Sequence, residues 1–400
     1  MIEQHRAALD AAASAPMLAQ VEAWSAINSG SRNLTGLAAM AQELADAFSV
    51  LPGDVKLLDA AAGQEIGVGG DARATSFGQN LHVRVRPDAP AQILLTGHMD
   101  TVYAIDHPFQ TLTAQQGGAI LNGPGVADMK GGIALMLAAL GAIEQSPLCE
   151  RIGYEVVINS DEEIGSPGSS ALLAIAARGK LAALTYEPSA LPDGTLAGAR
   201  PGSGNFSILI HGRAAHAGRN PQDGRNAIVA AGDLALRLSK ARREGLSINP
   251  ARIDGGGPNN IVPDLAILRV NMRPALPADQ TAAEAMLRDL IAAIRTEHDV
   301  MIELHGGFGR PPKPIDARGE KLFALVEASA AALGQFINHK PTGGVCDGNN
   351  IAACGVPVVD TMGARGGAIH SPDEYLIVDS LAERAQLSAL VLLRLAEHGL

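Results

Sequence analysis

Residues 92–103 read QILLTGHMDTVY: a short apolar run, Ile93-Leu94-Leu95, followed closely by a histidine and an aspartate two positions apart, His98 and Asp100. Apolar runs of this length bounded by turn signals read as buried strands. The arrangement recurs downstream. Val156-Val157-Ile158 leads into NSDEEIGS, with Glu162 and Glu163, and Leu181–Leu184 leads into TYEPS, with Glu187. Two further clusters lie in glycine-rich segments, GVADMKGG with Asp128 and GGAIHSPDEY with His370. A parallel sheet gathers the ends of its strands along one edge, where open α/β folds bind ligands. Residues far apart in sequence therefore meet there. Two histidines and three carboxylates form a donor set suited to zinc, manganese or cobalt.

From about Gln92 to Leu196 short apolar strands alternate with helical stretches, for example Gly132–Ile143 and Ser169–Ala177. That alternation predicts an α/β domain with a mostly parallel sheet flanked by helices. The character changes near Ala199. Asn205–His211 alternates as a half-buried strand, and a helix follows over Arg225–Arg243. Next come a strand near Ser247–Ile253, a Gly/Pro/Asn turn at 255–259, a strand over Asp264–Arg273, a helix over Asp279–His298 and a strand over Val300–His305. The order β-α-β-β-α-β is that of a ferredoxin-like unit. The cluster Pro311-Pro312-Lys313-Pro314 marks a boundary, after which helix–strand alternation resumes. Because His370 must join a cluster otherwise drawn from residues 98–187, the expected domains are 1–198 with 312–400, and an insert at 199–311.

Four hundred residues with 47% hydrophobic content can bury a large core. A formal charge of −11 argues against nucleic acid or an anionic membrane surface as partner. The three cysteines, Cys149, Cys346 and Cys354, are too few for a disulfide framework, which points to a reducing, cytoplasmic compartment. The N-terminal stretch MIEQHRAALDAAASAPMLAQ reads as an amphipathic helix, not a signal peptide, and we find no continuous apolar run long enough to span a membrane.

Taken singly, each polar cluster has an ordinary explanation. Asp128 opens a helix and suits an N-cap. Asp161-Glu162-Glu163 forms an acidic turn, costly at a sheet edge without a cation, or simply solvated. His370 suits a buried, satisfied histidine.

Together, in order and with their flanking residues, GHMDTVY, GPGVADMKGG, SDEEIGSPGS and YEPS resemble the di-zinc aminoacylase and carboxypeptidase superfamily. It includes glutamate carboxypeptidase, acetylornithine deacetylase and succinyl-diaminopimelate desuccinylase. The likeness runs from about Ile93 to Tyr375. It implies that His98 and Glu187 hold one metal, Glu163 and His370 the other, and that Asp128 bridges them. It implies Glu162 as general base acting on a water that bridges the two metals, Asp100 as the residue orienting His98, and a cis peptide at Asp128–Met129. In the insert, GRAAHAG implies that His216 stabilises the oxyanion, acting in the other subunit of a homodimer. The insert would then serve as lid and dimerisation surface.

Asn260, Arg273 and Arg310 are the candidates for anchoring substrate, because arginine forks grip carboxylates; salt bridges within the protein would use the same two arginines. Cys346 falls where related sequences often carry a small hydroxylated residue. The expected activity is hydrolysis of an amide or peptide bond next to a free amino-acid carboxylate, glutamate carboxypeptidase-like, on a dipeptide or N-acyl amino acid. An N-acyl-amino-acid deacylase is the alternative. Glu187 in place of an aspartate speaks, by the resemblance, against an aminopeptidase. A non-catalytic binding protein on this scaffold would have lost a ligand or the base, and every one of these residues is present.

Overall fold

The computed structural model describes residues 2–400. Its central sheet has six strands, in the spatial order Asp54–Leu58, Asn80–Val85, Ile152–Asn159, Ala91–His98, Ala182–Thr185 and Val358–Val359. The last four run parallel to one another, and Asn80–Val85 runs antiparallel to both of its neighbours. Register decides the site. His98 lies opposite Asn159, and Thr96 lies opposite Thr185. The three strands thus end level, and their following residues emerge along one edge.

Alternation sorts the strand residues between two apolar layers. Ile93 and Leu95 face a core shared with the helices Ile2–Ala13, Leu34–Phe48, Gly131–Glu144 and Ser380–His398. Leu94 and Val157 face a smaller cluster with Leu173, Ala176 and Ile351. The helix Gly131–Glu144 is apolar all round and almost wholly buried, as such a helix must be in water. Val126–Glu144 has the length and hydropathy of a membrane span, contrary to the sequence expectation, but 94% of that window is packed inside the protein as a core element.

Residues 203–310 form an antiparallel sheet of four strands, ordered Leu246–Gly255, Leu265–Pro274, Ser203–His211, Met301–Arg310. With the helices Ala227–Lys240 and Pro277–His298 packed on it, this is a ferredoxin-like unit with its own core. The two chain crossings into it run side by side: Arg200 and Lys313 exchange both backbone hydrogen bonds, at 3.0 and 2.9 Å.

Two local features differ from the sequence expectation. The N-terminal helix is two, Ile2–Ala13 and Met17–Ser25, because Pro16 cannot continue the hydrogen-bond ladder; Met1 lies outside the described residues. A small four-stranded sheet, Gly366–Gly367, Tyr375–Ile377, Ile120–Asn122 and Thr113–Gln115, holds the loops that carry Asp128 and His370 next to each other.

Candidate metal centre

Five side chains converge beside the sheet edge. His98 ends its strand and is 1% exposed. Its Nε2 lies 3.1 Å from Asp128 Oδ1 and 3.7 Å from Glu187 Oε2. On the other side of the aspartate, His370 Nε2 lies 3.2 Å from Asp128 Oδ2 and 3.1 Å from Glu163 Oε2. Each oxygen of Asp128 therefore faces a different histidine. The donors form two trios, His98–Asp128–Glu187 and Asp128–Glu163–His370, each with its atoms within 4.8 Å of one another. Asp128 caps no helix with its side chain. It precedes a cis peptide, Asp128–Met129, as the family resemblance implied.

The electrostatics match a cation site. Burial pushes Glu187 up to about 8 and Glu163 up to about 7, the latter helped by the neighbouring Asp128. Asp128 is buried too, which alone would raise it, but hydrogen bonds from His370 and His98 hold it well below the carboxylate range. Hydrogen bonds to Asp128 and Glu163 lift His370 to about 11. Three buried carboxylates at one point favour positive charge between them, and nitrogen plus carboxylate oxygen suits zinc, cobalt or manganese. The donor set fits a pair of divalent ions.

His98 Nδ1 lies 2.9 Å from the Asp100 carbonyl and 3.4 Å from its carboxylate Oδ1, which fixes the ring with Nε2 towards the cluster. The Asp100 carboxylate also accepts the N–H groups of Glu162 and Glu163, at 3.1 and 3.2 Å, and the Ser31 hydroxyl at 2.6 Å. One aspartate thus aims both His98 and the acidic turn. The three consecutive acids separate by direction: Asp161 turns inward to accept from Gly168 N–H and Ser169 Oγ, Glu163 joins a trio, and Glu162 stands outside both. Burial raises Glu162 to about 8 despite the opposing charge of Arg310.

Above the cluster opens a cavity of about 830 Å³, lined by Asp128, Glu162, Glu163, Glu187 and His370 below and by Asn205, Asn271 and Arg273 from the insert. Arg273 donates to Asn271 Oδ1 and to the Gly343 carbonyl and has no carboxylate at ion-pair distance among the described residues. Arg310 also lines the cavity, with its side chain engaged by the protein. It is 4% exposed, bonded to Asp347 and to Glu162 Oε1, with Ser166 and Asn350 completing the set. Both terminal nitrogens of its fork are occupied by the protein.

Asn260 and His216 lie apart from the cavity lining, on adjacent exposed loops of the insert. His216 Nδ1 accepts the N–H groups of Gly218 and Arg219 at 3.1 and 3.2 Å, so its proton sits on Nε2, directed outward as a donor.

The sequence reading missed several residues around the centre. Asp347 is one of them: it anchors Arg310, Ser166 and Asn159. Buried Lys130 donates to the Ile27 carbonyl at 3.1 Å. Glu374 accepts from the turn that carries Asp128. A signal existed for Glu374 in HSPDEY, four residues after His370, but lone acids in polar loops have no periodicity to betray burial.

Residues 94–394 match the model of the peptidase family M20/M25/M40. Carboxypeptidase G2 of Pseudomonas sp. (strain RS-16) is 30% identical over 327 residues, covering 80% of this chain and 77% of that one. Succinyl-diaminopimelate desuccinylase of Gluconobacter oxydans (strain 621H) is 29% identical over 388 residues, covering 90% and 97%. Among solved structures, a tripeptidase from Staphylococcus aureus superposes with a TM-score of 0.72 at 23% identity, covering 96% and 98% of the two chains. The fold and site define a metal-dependent peptidase or amidohydrolase built from an α/β domain and an inserted ferredoxin-like unit. The chain belongs to peptidase family M20/M25/M40.

Proposed function

We propose that this enzyme hydrolyses an amide or peptide bond adjacent to a free amino-acid carboxylate, in the manner of a glutamate carboxypeptidase. The observation that carries the catalytic part is Asp128, whose two oxygens face His98 and His370 from between the trios. The observation that carries the substrate part is Arg273, which lines the same cavity and has no carboxylate at ion-pair distance among the described residues.

The two trios would hold divalent ions, zinc or otherwise cobalt or manganese, which would supply Lewis acidity and lower the pKa of the attacking water. Glu162, raised by burial into the working range, takes the proton from that water and returns it to the leaving nitrogen. Asp100 holds Glu162 and His98 in mutual register through hydrogen bonds to both segments. Arg273 and the amides of Asn205 and Asn271 face the group that bears the free carboxylate.

His216 acts from a second copy of the chain. Its outward Nε2–H suits an oxyanion donor, and its place outside the lining of its own cavity fits a homodimer joined through the inserts. The strand Leu246–Gly255 lies at the open edge of the insert sheet, and Val229 and Leu236 are exposed on the neighbouring helix. The three free cysteines fit a cytoplasmic setting.

A hydrolysis screen of dipeptides and N-acyl amino acids, with zinc, cobalt and manganese supplied in turn, tests the reading. Turnover should require the free carboxylate next to the scissile bond. Equal turnover of amino-acid amides lacking that carboxylate would overturn it. Preference for small acyl groups over peptides would favour the N-acyl-amino-acid deacylase reading of the same site.

A further inference from the structure

We propose that Glu374 is a positioning residue for the metal pair: its carboxylate holds the turn that carries Asp128 and ties it to two of the other segments that supply ligands, those of His98 and His370. The proposal rests on the reading of the two trios as metal sites.

Glu374 is 1% exposed and accepts from four donors. Oε1 takes the N–H groups of Ala127 and Asp128 at 3.0 and 3.1 Å, and Oε2 takes the N–H of Gly125 at 3.2 Å. Three amides of one turn converging on one carboxylate make an anion-binding concavity, here filled from within the chain. Gly125 reaches it through a left-handed backbone, φ 71°, which favours glycine. The fourth donor is the Tyr103 hydroxyl, 2.8 Å from both Glu374 Oε2 and the Ser371 carbonyl.

These contacts join three segments. Tyr103 lies in GHMDTVY with His98, the turn 123–130 carries Asp128, and Ser371 follows His370. The backbone around Glu374 repeats the tie: its carbonyl accepts Gly123 N–H at 3.3 Å and Asn122 Nδ2 at 2.7 Å. Asp128 must present one oxygen to each histidine, so a tilt of its turn misplaces both at once. Groups that orient ligands in this way typically contribute 10–100-fold to metal affinity.

The test titrates chelator-stripped full-length protein with cobalt(II), followed by visible absorption, and with zinc(II), followed by calorimetry. Wild type should take up two ions per chain. In Glu374→Gln an amide NH₂ replaces one oxygen and opposes N–H donors, so the turn must shift. Affinity should fall by roughly 10–100-fold with a changed cobalt spectrum. Saturating metal should restore kcat with KM unaltered. Tyr103→Phe removes only one donor and should show a smaller loss in the same direction. It carries the same test should Glu374→Gln fail to fold. Wild-type affinities in the variants overturn the proposal, as does a lower melting temperature of the stripped protein with metal binding unchanged. Failure of the wild type to bind two ions would instead remove the metal-centre reading itself.

Discussion

Arg310, the last residue of the insert's final strand, donates to Glu162 Oε1 at 2.7 Å while its other terminal nitrogen is held by Asp347. The insert thereby places a buried guanidinium directly on the residue proposed as base. Arg310→Met should leave two buried carboxylates without their cation, and breaking one partner of such a pair typically costs on the order of 3–5 kcal/mol. Thermal denaturation would show it. Glu162 would also lose the charge that opposes its upward shift, so the acid limb of kcat/KM against pH should move to higher pH. An unmoved limb would mean that Arg310 does not act on the base.

Glu162→Gln keeps the shape of the side chain, stands outside both trios, and should retain metal while losing about 10³ in kcat, within the range of a removed general base. Metal analysis and turnover of one preparation decide it. Loss of metal with proportionate residual turnover would exchange the roles of Glu162 and Glu163.

Without cations the site should set a pH dependence of stability. Unfolded glutamates titrate near about 4.3, whereas Glu162, Glu163 and Glu187 are raised to about 8, 7 and 8 by burial. Across that window the folded protein holds protons that the unfolded chain has released. Stability therefore falls as pH rises. The raised histidines, His98 and His370, act with the same sign above their ordinary range. Chelated protein should melt progressively lower from pH 5 to 8, and the metal-loaded protein should show a shallower slope. A chelated melting temperature that rose over this range would contradict the assignment.

The dimer reading makes a sharper demand. His216→Ala and Glu162→Gln should each be nearly inactive, the former slowed by about 10²–10³ as expected for one oxyanion donor. After random subunit exchange, half the dimers are mixed and each mixed dimer contains one intact site. About a quarter of wild-type activity should return, given two-fold symmetry. No recovery despite demonstrated exchange would place His216 outside the partner's site.

Much of this arrangement is legible in the sequence. The runs Ile93–Leu95, Val156–Ile158 and Leu181–Leu184 announced buried strands, and their polar ends pointed to one edge. The insert's strand and helix order was readable because Phe206, Ile208 and Ile210 alternate so cleanly. The antiparallel strands Asp54–Leu58 and Asn80–Val85 went unread. The second does alternate, with Leu81, Val83 and Val85 buried, but the first is half exposed and carries little pattern. Arg310 illustrates the harder limit. An arginine before a proline cluster looks the same whether it faces a substrate or completes a salt bridge, and only the approach of Asp347 and Glu162 reveals the ion pairs that it makes. Glu374 was hidden for a related reason: its four donors are mostly backbone amides, which no side-chain pattern reveals.

If Asp128 serves two ions at once, metal stoichiometry of Asp128→Ala shows it most directly. The wild-type chain, purified without chelator and reconstituted, should hold two divalent ions, and the variant should lose both together with its activity. A variant that kept one tightly bound ion and near-normal turnover would contradict the bridging role.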